Sequence, residues 1–246
     1  MPICILQFAT VNSQLLPAAA LILVSYLCGS IPFGVLVTRA KGVDIQKVGS
    51  GNIGATNVAR AIGLRWGFLV FGLDFLKGFG PTLGARLLSP VLGTDVFSQF
   101  DLPVLCALAA VLGNVFSVWL RFRGGKAGAI GLGVGTVICW QAVLPAGFAW
   151  IVTVLVTRHV SLGTILGSLV YMAAYFAKVV MLERASPIDR PHITSTIFCI
   201  AVVALVIARH KDNIKRLIYG TENKVDAFWT RWWKSSNEGS GTNEKT

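Results

Sequence analysis

The stretch Ala127-Gly-Ala-Ile-Gly-Leu-Gly-Val-Gly-Thr-Val-Ile-Cys-Trp-Gln-Ala-Val-Leu-Pro-Ala-Gly-Phe-Ala-Trp-Ile-Val-Thr-Val-Leu-Val156 decides the architecture of this chain. It holds no Asp, Glu, Lys or Arg. A bilayer crossing takes about 20 mainly apolar residues, with roughly 17 at the lower end. The stretch is therefore one long tilted helix or two short ones broken near Gln141 and Pro145. Every loop after it changes side of the membrane between those two readings.

Loop charge separates them, because cytoplasmic loops carry the excess of Lys and Arg. Further apolar runs lie at Leu16–Val37, Trp66–Leu88, Leu102–Leu120, Leu162–Leu182 and Ile193–Ala208. With two helices in 127–156, seventeen basic residues fall on one side and three (Arg86, Arg184 and Arg190) on the other. With one helix the split is ten against ten. The expected fold is an all-α integral membrane protein of about seven transmembrane helices, with the N-terminus outside and the C-terminus cytoplasmic.

Composition agrees. Hydrophobic residues are 54% of the 246 and charged residues 13%, against roughly 25% charged in a soluble domain, and the mean hydropathy is +0.68. The positive-inside bias accounts for most of the net charge of +11, so membrane lipids are expected partners and nucleic acid is not. Residues 1–14 lack a basic signal-peptide start and are expected as a short external leader or an overhang of the first helix. Residues 15–222 form the seven-helix membrane domain. In 223–246, Val225, Phe228, Trp229, Trp232 and Trp233 recur at helical spacing, as in an interfacial segment, and a polar, disordered tail follows from Ser235. Cys4, Cys28, Cys106, Cys139 and Cys199 lack paired spacing and are expected to be free thiols.

In the two-helix topology four polar loops share the cytoplasmic face: Arg39–Arg65, Arg121–Lys126, Arg158–Thr164 and Arg209–Glu222. The first contains Lys47-Val-Gly-Ser-Gly-Asn-Ile-Gly-Ala-Thr-Asn57, where glycines let backbone N–H groups approach an anion and Ser, Thr and Asn add donors. The run matches G-x-G-x-x-G, but no strand precedes it and Asp74 falls within a span, so a dinucleotide fold is excluded on context. Gly125-Lys126 lacks the upstream glycine and following Ser or Thr of a phosphate-binding loop. His159, His192 and His210 share no zinc-ligand spacing, and none has Asp five positions on. No cofactor or metal is expected. Asp74 and Lys77, three apart in a span, are expected to form an intramembrane ion pair.

Several blocks resemble one family in order along the chain. They are Gly29-Ser-Ile-Pro-Phe-Gly34, Gly49-Ser-Gly-Asn-Ile-Gly-Ala-Thr-Asn57, Asp74-Phe-Leu-Lys-Gly78, Phe122-Arg-Gly-Gly-Lys126, Val160-Ser-Leu162, Arg209-His-Lys-Asp-Asn-Ile-Lys-Arg-Leu217 and Gly220-Thr-Glu222. The family is the bacterial acyl-phosphate:glycerol-3-phosphate acyltransferases of phospholipid synthesis, which lack the H-x4-D motif. The resemblance implies a multi-pass enzyme of the bacterial inner membrane with its active site facing the cytoplasm. It implies acyl transfer from acyl-phosphate to the 1-hydroxyl of glycerol 3-phosphate, giving lysophosphatidic acid and phosphate. It also implies site residues: Ser50, Lys126, His210 and Asn213 as catalytic, with Gly51, Asn52, Gly54, Thr56, Asn57, Arg60, Gly124, Gly125, Thr164 and Glu222 holding substrate. Ser50, Arg60 and Lys126 match phosphate-binding positions, and Thr164 stands where the family usually has a serine.

Departures are local. Where the second block usually begins Gly-His-x-Phe, this chain has Gly113-Asn-Val-Phe116. An asparagine amide donates and accepts hydrogen bonds but carries no proton at neutral pH. The block ends Lys126-Ala-Gly-Ala-Ile130 rather than Lys-Gly-Val-Ala-Thr. The alternatives are a divergent, weakly active paralogue, or a transporter or binding protein for an anionic lipid or phosphate metabolite. Transport calls for broken helices and ionisable residues near mid-membrane from both halves of the chain. Only Asp74 and Lys77 answer to that.

Overall fold

The computed structural model describes residues 2–91, 101–190 and 192–224, with side chains from residue 15 onward. The Trp-rich segment and polar tail, from Val225 on, lie outside the described residues. The described helices are α1 (Pro2–Ser30), α2 (Phe33–Arg39), α3 (Ala55–Ile62), α4 (Leu64–Leu88), α5 (Asp101–Val115), α6 (Gly128–Thr157), α7 (Val160–Ala177), α8 (Ile193–Arg209) and α9 (Lys211–Ile218). This is an all-helical chain with the lengths and composition of an integral membrane protein. Among the described residues, four segments are by length and composition apolar enough to cross a bilayer: Leu15–Arg39, Asp101–Leu120, Gly128–Thr157 and Val160–Leu182. α8 with α9, bent by 56°, makes a fifth.

The deciding stretch is broken. Cys139 has extended backbone angles (φ −153°, ψ 83°) inside α6. Along α7, contacts with the second half of α6 run backwards: a β-carbon at Gly163 would meet Val154 and Trp150, and one at Gly167 would meet Ala146. Contacts with the first half run forwards, from Thr164 beside Gly128 to Tyr171 beside Gly135. The two halves of α6 therefore run antiparallel, as a hairpin turning at Cys139. The break comes two residues before Gln141, and Pro145 lies within the second half, where spans tolerate proline. Arg86 Nη1 donates to the Val137 carbonyl at 2.7 Å, supplying a donor beside the turn.

The first run, expected to be continuous from Leu16 to Val37, is also broken. Pro32 has no N–H and disfavours helical geometry at the residue before it, so α1 ends at Ser30 and α2 starts at Phe33. The carbonyls left at this break find partners. Ser117 Oγ donates to Ser30 O at 2.6 Å and Lys77 Nζ to Ile31 O at 2.9 Å. Lys77 also pairs with Asp74 at 2.7 Å, which is the expected intramembrane ion pair.

Small residues let the backbones approach. A β-carbon at Gly133 would collide with the Phe75 carbonyl, and one at Gly78 would sit 2.7 Å from Ile130 O; α4 and the first half of α6 thus meet backbone to backbone, as membrane helices do at glycine. Cys28, Cys106, Cys139 and Cys199 are free thiols.

Candidate active site

The glycine-rich loop between α2 and α3 is organised by one side chain. Asn57, only 2% exposed, accepts from the Ser50 backbone N–H at 3.1 Å and donates to the Val48 and Asn52 carbonyls, both at 2.9 Å. Gly49 and Gly51 have φ of +61° and +67°, which favours glycine at both. Asn57, expected to touch substrate, is thus the loop's internal strut. The loop delivers the free N–H groups at the start of α3 to a cavity of about 450 Å3, bordered there by Ser50, Asn52, Gly54, Thr56, Asn57 and Arg60. A helix N-terminus of this kind favours anions.

The second loop enters the same cavity through Gly125 and Lys126. Arg209 holds it in place, donating to the carbonyls of Gly124 and Gly125 at 3.1 and 3.3 Å. Lys126 Nζ donates to Asn213 Oδ1 on α9. Asn213 Nδ2 in turn donates to Glu222 Oε1 at 2.6 Å, Ser161 Oγ donates to the same oxygen at 2.8 Å, and Arg216 Nε donates to Oε2 at 2.6 Å. Glu222 is therefore the hub that ties the third and fourth loops to Lys126. Burial pushes its carboxyl upward, but these donors outweigh that and hold it below the ordinary 4.5.

Arg60, Lys126, Thr164, His210, Asn213 and Glu222 all border the cavity. Of the fourteen expected site residues, Gly51 and Gly124 do not. Gly51 shapes the loop turn, and Gly124 packs against the Asn114 carbonyl too closely for a side chain. Thr164 spends its hydroxyl hydrogen on Val160 O at 2.9 Å, leaving its lone pairs to accept. His210 Nδ1 lies 2.8 Å from Val206 O. A carbonyl can only accept, so Nδ1 carries the hydrogen and Nε2 of the neutral ring is an acceptor. Burial pushes the His210 pKa below the usual 6.5, which favours the neutral ring.

Among the described residues, neither Arg60 nor Lys126 has a carboxylate within salt-bridge distance. Burial lowers the pKa of both from the ordinary value, with Arg216 acting in the same direction and Glu222 against it. Two partly buried cations with no direct ion pair, feeling Glu222 only at longer range, can receive an anion. From this polar end the cavity continues between helices past Phe71, Val134, Ala146, Trp150, Phe198 and Val202, an apolar arm suited to an acyl chain.

Sequence reasoning missed three residues here. Asn114 was noted only as a departure, yet it borders the cavity at 6% exposure and stands beside Gly125. Ser161 and Arg216 secure Glu222; their signal was membership of the same short blocks as the expected residues. Asp74 also borders the cavity.

Known proteins share this arrangement of elements. A family model described as Glycerol-3-phosphate acyltransferase matches residues 19–220. The glycerol-3-phosphate acyltransferase of Anaeromyxobacter dehalogenans is 41% identical over 208 residues, covering 84% of this chain and 96% of that one. The Aquifex aeolicus protein of the same name is 37% identical over 212 residues, with 84% and 98% covered. Two crystal structures of PlsY (YgiH), an integral membrane glycerol 3-phosphate acyltransferase, superpose at 36% identity, covering 85% of this chain and 95% of that one. The TM-score is 0.72 for the glycerol 3-phosphate form and 0.70 for the lysophosphatidic acid form. With the family model spanning most of the chain, and with relatives aligned along nearly their whole length, this chain belongs to the glycerol-3-phosphate acyltransferase family.

Proposed function

We propose that this chain transfers an acyl group from acyl-phosphate to the 1-hydroxyl of glycerol 3-phosphate, releasing lysophosphatidic acid and inorganic phosphate. One observation carries the reading: a single cavity joins Arg60 and Lys126, neither of them in a direct ion pair, to an apolar arm between helices. Both substrates bring phosphate and only one brings an acyl chain, so both can occupy this cavity with their reacting ends at the polar mouth. The PlsY forms with glycerol 3-phosphate and lysophosphatidic acid support the same substrate and product here.

In this mechanism the loop around Ser50, the N–H groups of α3 and Arg60 receive phosphate, and Lys126 neutralises charge as the acyl carbonyl is attacked. The glycerol oxygen forms the new ester bond and the carbonyl carbon–phosphate oxygen bond breaks. The hydroxyl proton passes to the departing phosphate, which serves as base. His210 Nε2 and the Asn114 amide orient the reacting groups. The hairpin in α6 and the loop charges support seven crossings, with the N-terminus outside and the site on the cytoplasmic side of a bacterial inner membrane. Asp74 and Lys77 neutralise each other, which removes the main support for transport.

The donor is tested by giving purified protein glycerol 3-phosphate with either palmitoyl-phosphate or palmitoyl-coenzyme A. Lysophosphatidic acid is expected from the phosphate donor alone. Product from the coenzyme A ester at equal rate contradicts the donor assignment.

A further inference from the structure

Both halves of α6 together with α7 and α8 line the far end of the apolar arm. Gly135, Val143, Tyr171 and Cys199 border the cavity. One turn or less beyond, Cys139, Ala142 and Tyr175 are buried in one cluster with Val179 and Cys199, and Tyr171 packs against it. That cluster is a plug, and Tyr171 is its upper surface. The ring lies across Gly135, where a β-carbon would come within 3.1 Å of Cε2. Its hydroxyl donates to the Gly135 carbonyl at 3.1 Å. The phenol is thus held as a crossbar from α7 to the first half of α6, with its polar atom satisfied and its ring left as an apolar floor. From His210 at the polar mouth to Cys199 at the floor, α8 rises about 16 Å, a span comparable to an extended fatty chain rather than a short acid.

We propose that Tyr171 sets the length of acyl chain that the site accepts, its ring being the floor on which the terminal methyl rests. The proposal rests on the acyl-transfer reading above. A chain that reaches the floor buries every methylene, whereas a longer one must displace Tyr171 or leave its reacting end out of register with Lys126. Each further buried methylene favours a chain by about fourfold, so a deeper floor changes preference measurably.

The test compares the full-length protein with Tyr171→Leu and Tyr171→Met, the second because a flexible thioether repacks readily. Two measurements are made on each folded protein: kcat/KM with lauroyl-, palmitoyl-, stearoyl- and arachidoyl-phosphate, and thermal stabilisation by lysophosphatidic acids of the same chains. The stearoyl-to-palmitoyl ratio is expected to rise about fivefold in either variant, the order expected for one or two further buried methylenes. The best-stabilising lysophosphatidic acid is expected to lengthen in parallel. An unchanged ranking in a folded variant overturns the proposal. Absence of wild-type turnover with a shifted lysophosphatidic acid optimum sinks the donor reading and leaves the floor assignment standing.

Discussion

Lys126 and Arg60 face the cavity without a direct ion pair, while Glu222 makes its close contacts with Arg216 and neutral donors. This division leaves positive charge free for phosphate where the acyl arm begins. Removing one donor to developing charge at a preorganised site lowers rate by about 100-fold to 1000-fold, and Lys126→Ala is expected to lower kcat/KM by about 100-fold or more, read as phosphate release. An amide can donate and accept but carries no proton at neutral pH, so Asn114→Ala is expected to lose about tenfold and Asn114→His to stay within about threefold of wild type. A gain of about 30-fold in the histidine variant would show that proton transfer belongs at this position. His210 carries a pH signature. Its folded pKa lies below the unfolded 6.5, so falling pH protonates the unfolded chain first. Its stabilising contribution is present above 6.5 and is lost as pH falls through the folded value. The melting temperature is expected to drop below pH 6.5, and to drop less in His210→Gln. The matching window for Glu222 opens only below 4.5.

Elements place these residues by satisfying broken backbone. The turn at Cys139 and the break at Pro32 would each strand polar groups in an apolar setting, and Arg86, Ser117 and Lys77 answer them. Pro32 carries the signal for its break although the apolar run reads through it; Gln141 and Pro145 mark the neighbourhood of the other, and loop charge shows that the chain turns there, but nothing at Cys139 itself does. The site was legible to different degrees for similar reasons. Glycines with Ser50, Arg60 and Lys126 declare anion chemistry by residue type. That Asn57 and Glu222 serve as struts, and that Arg209 secures Gly124 and Gly125, follows from long-range hydrogen bonds that no local spacing encodes. Arg209 is a positioning residue: Arg209→Leu is expected to lower kcat about tenfold with a small change in KM, since Lys126 loses its register while Arg60 and the Ser50 loop stay. A KM increase with kcat unchanged would place Arg209 on substrate instead.

At the scale of the molecule, the antiparallel halves of α6 gather four polar loops at one end and leave an apolar arm pointing into the bundle. Topology tests this directly. A cysteine introduced at Ser186 is expected to react with an impermeant reagent from outside, and one at Lys47 only after the inner face is opened. Reaction of both from one side would mean that α6 crosses once. Acyl transfer in this cavity is read by the initial rate of phosphate release from palmitoyl-phosphate. The folded protein is expected to release phosphate only when glycerol 3-phosphate is present, with lysophosphatidic acid formed in equal amount. No release, or release that does not depend on glycerol 3-phosphate, would contradict it.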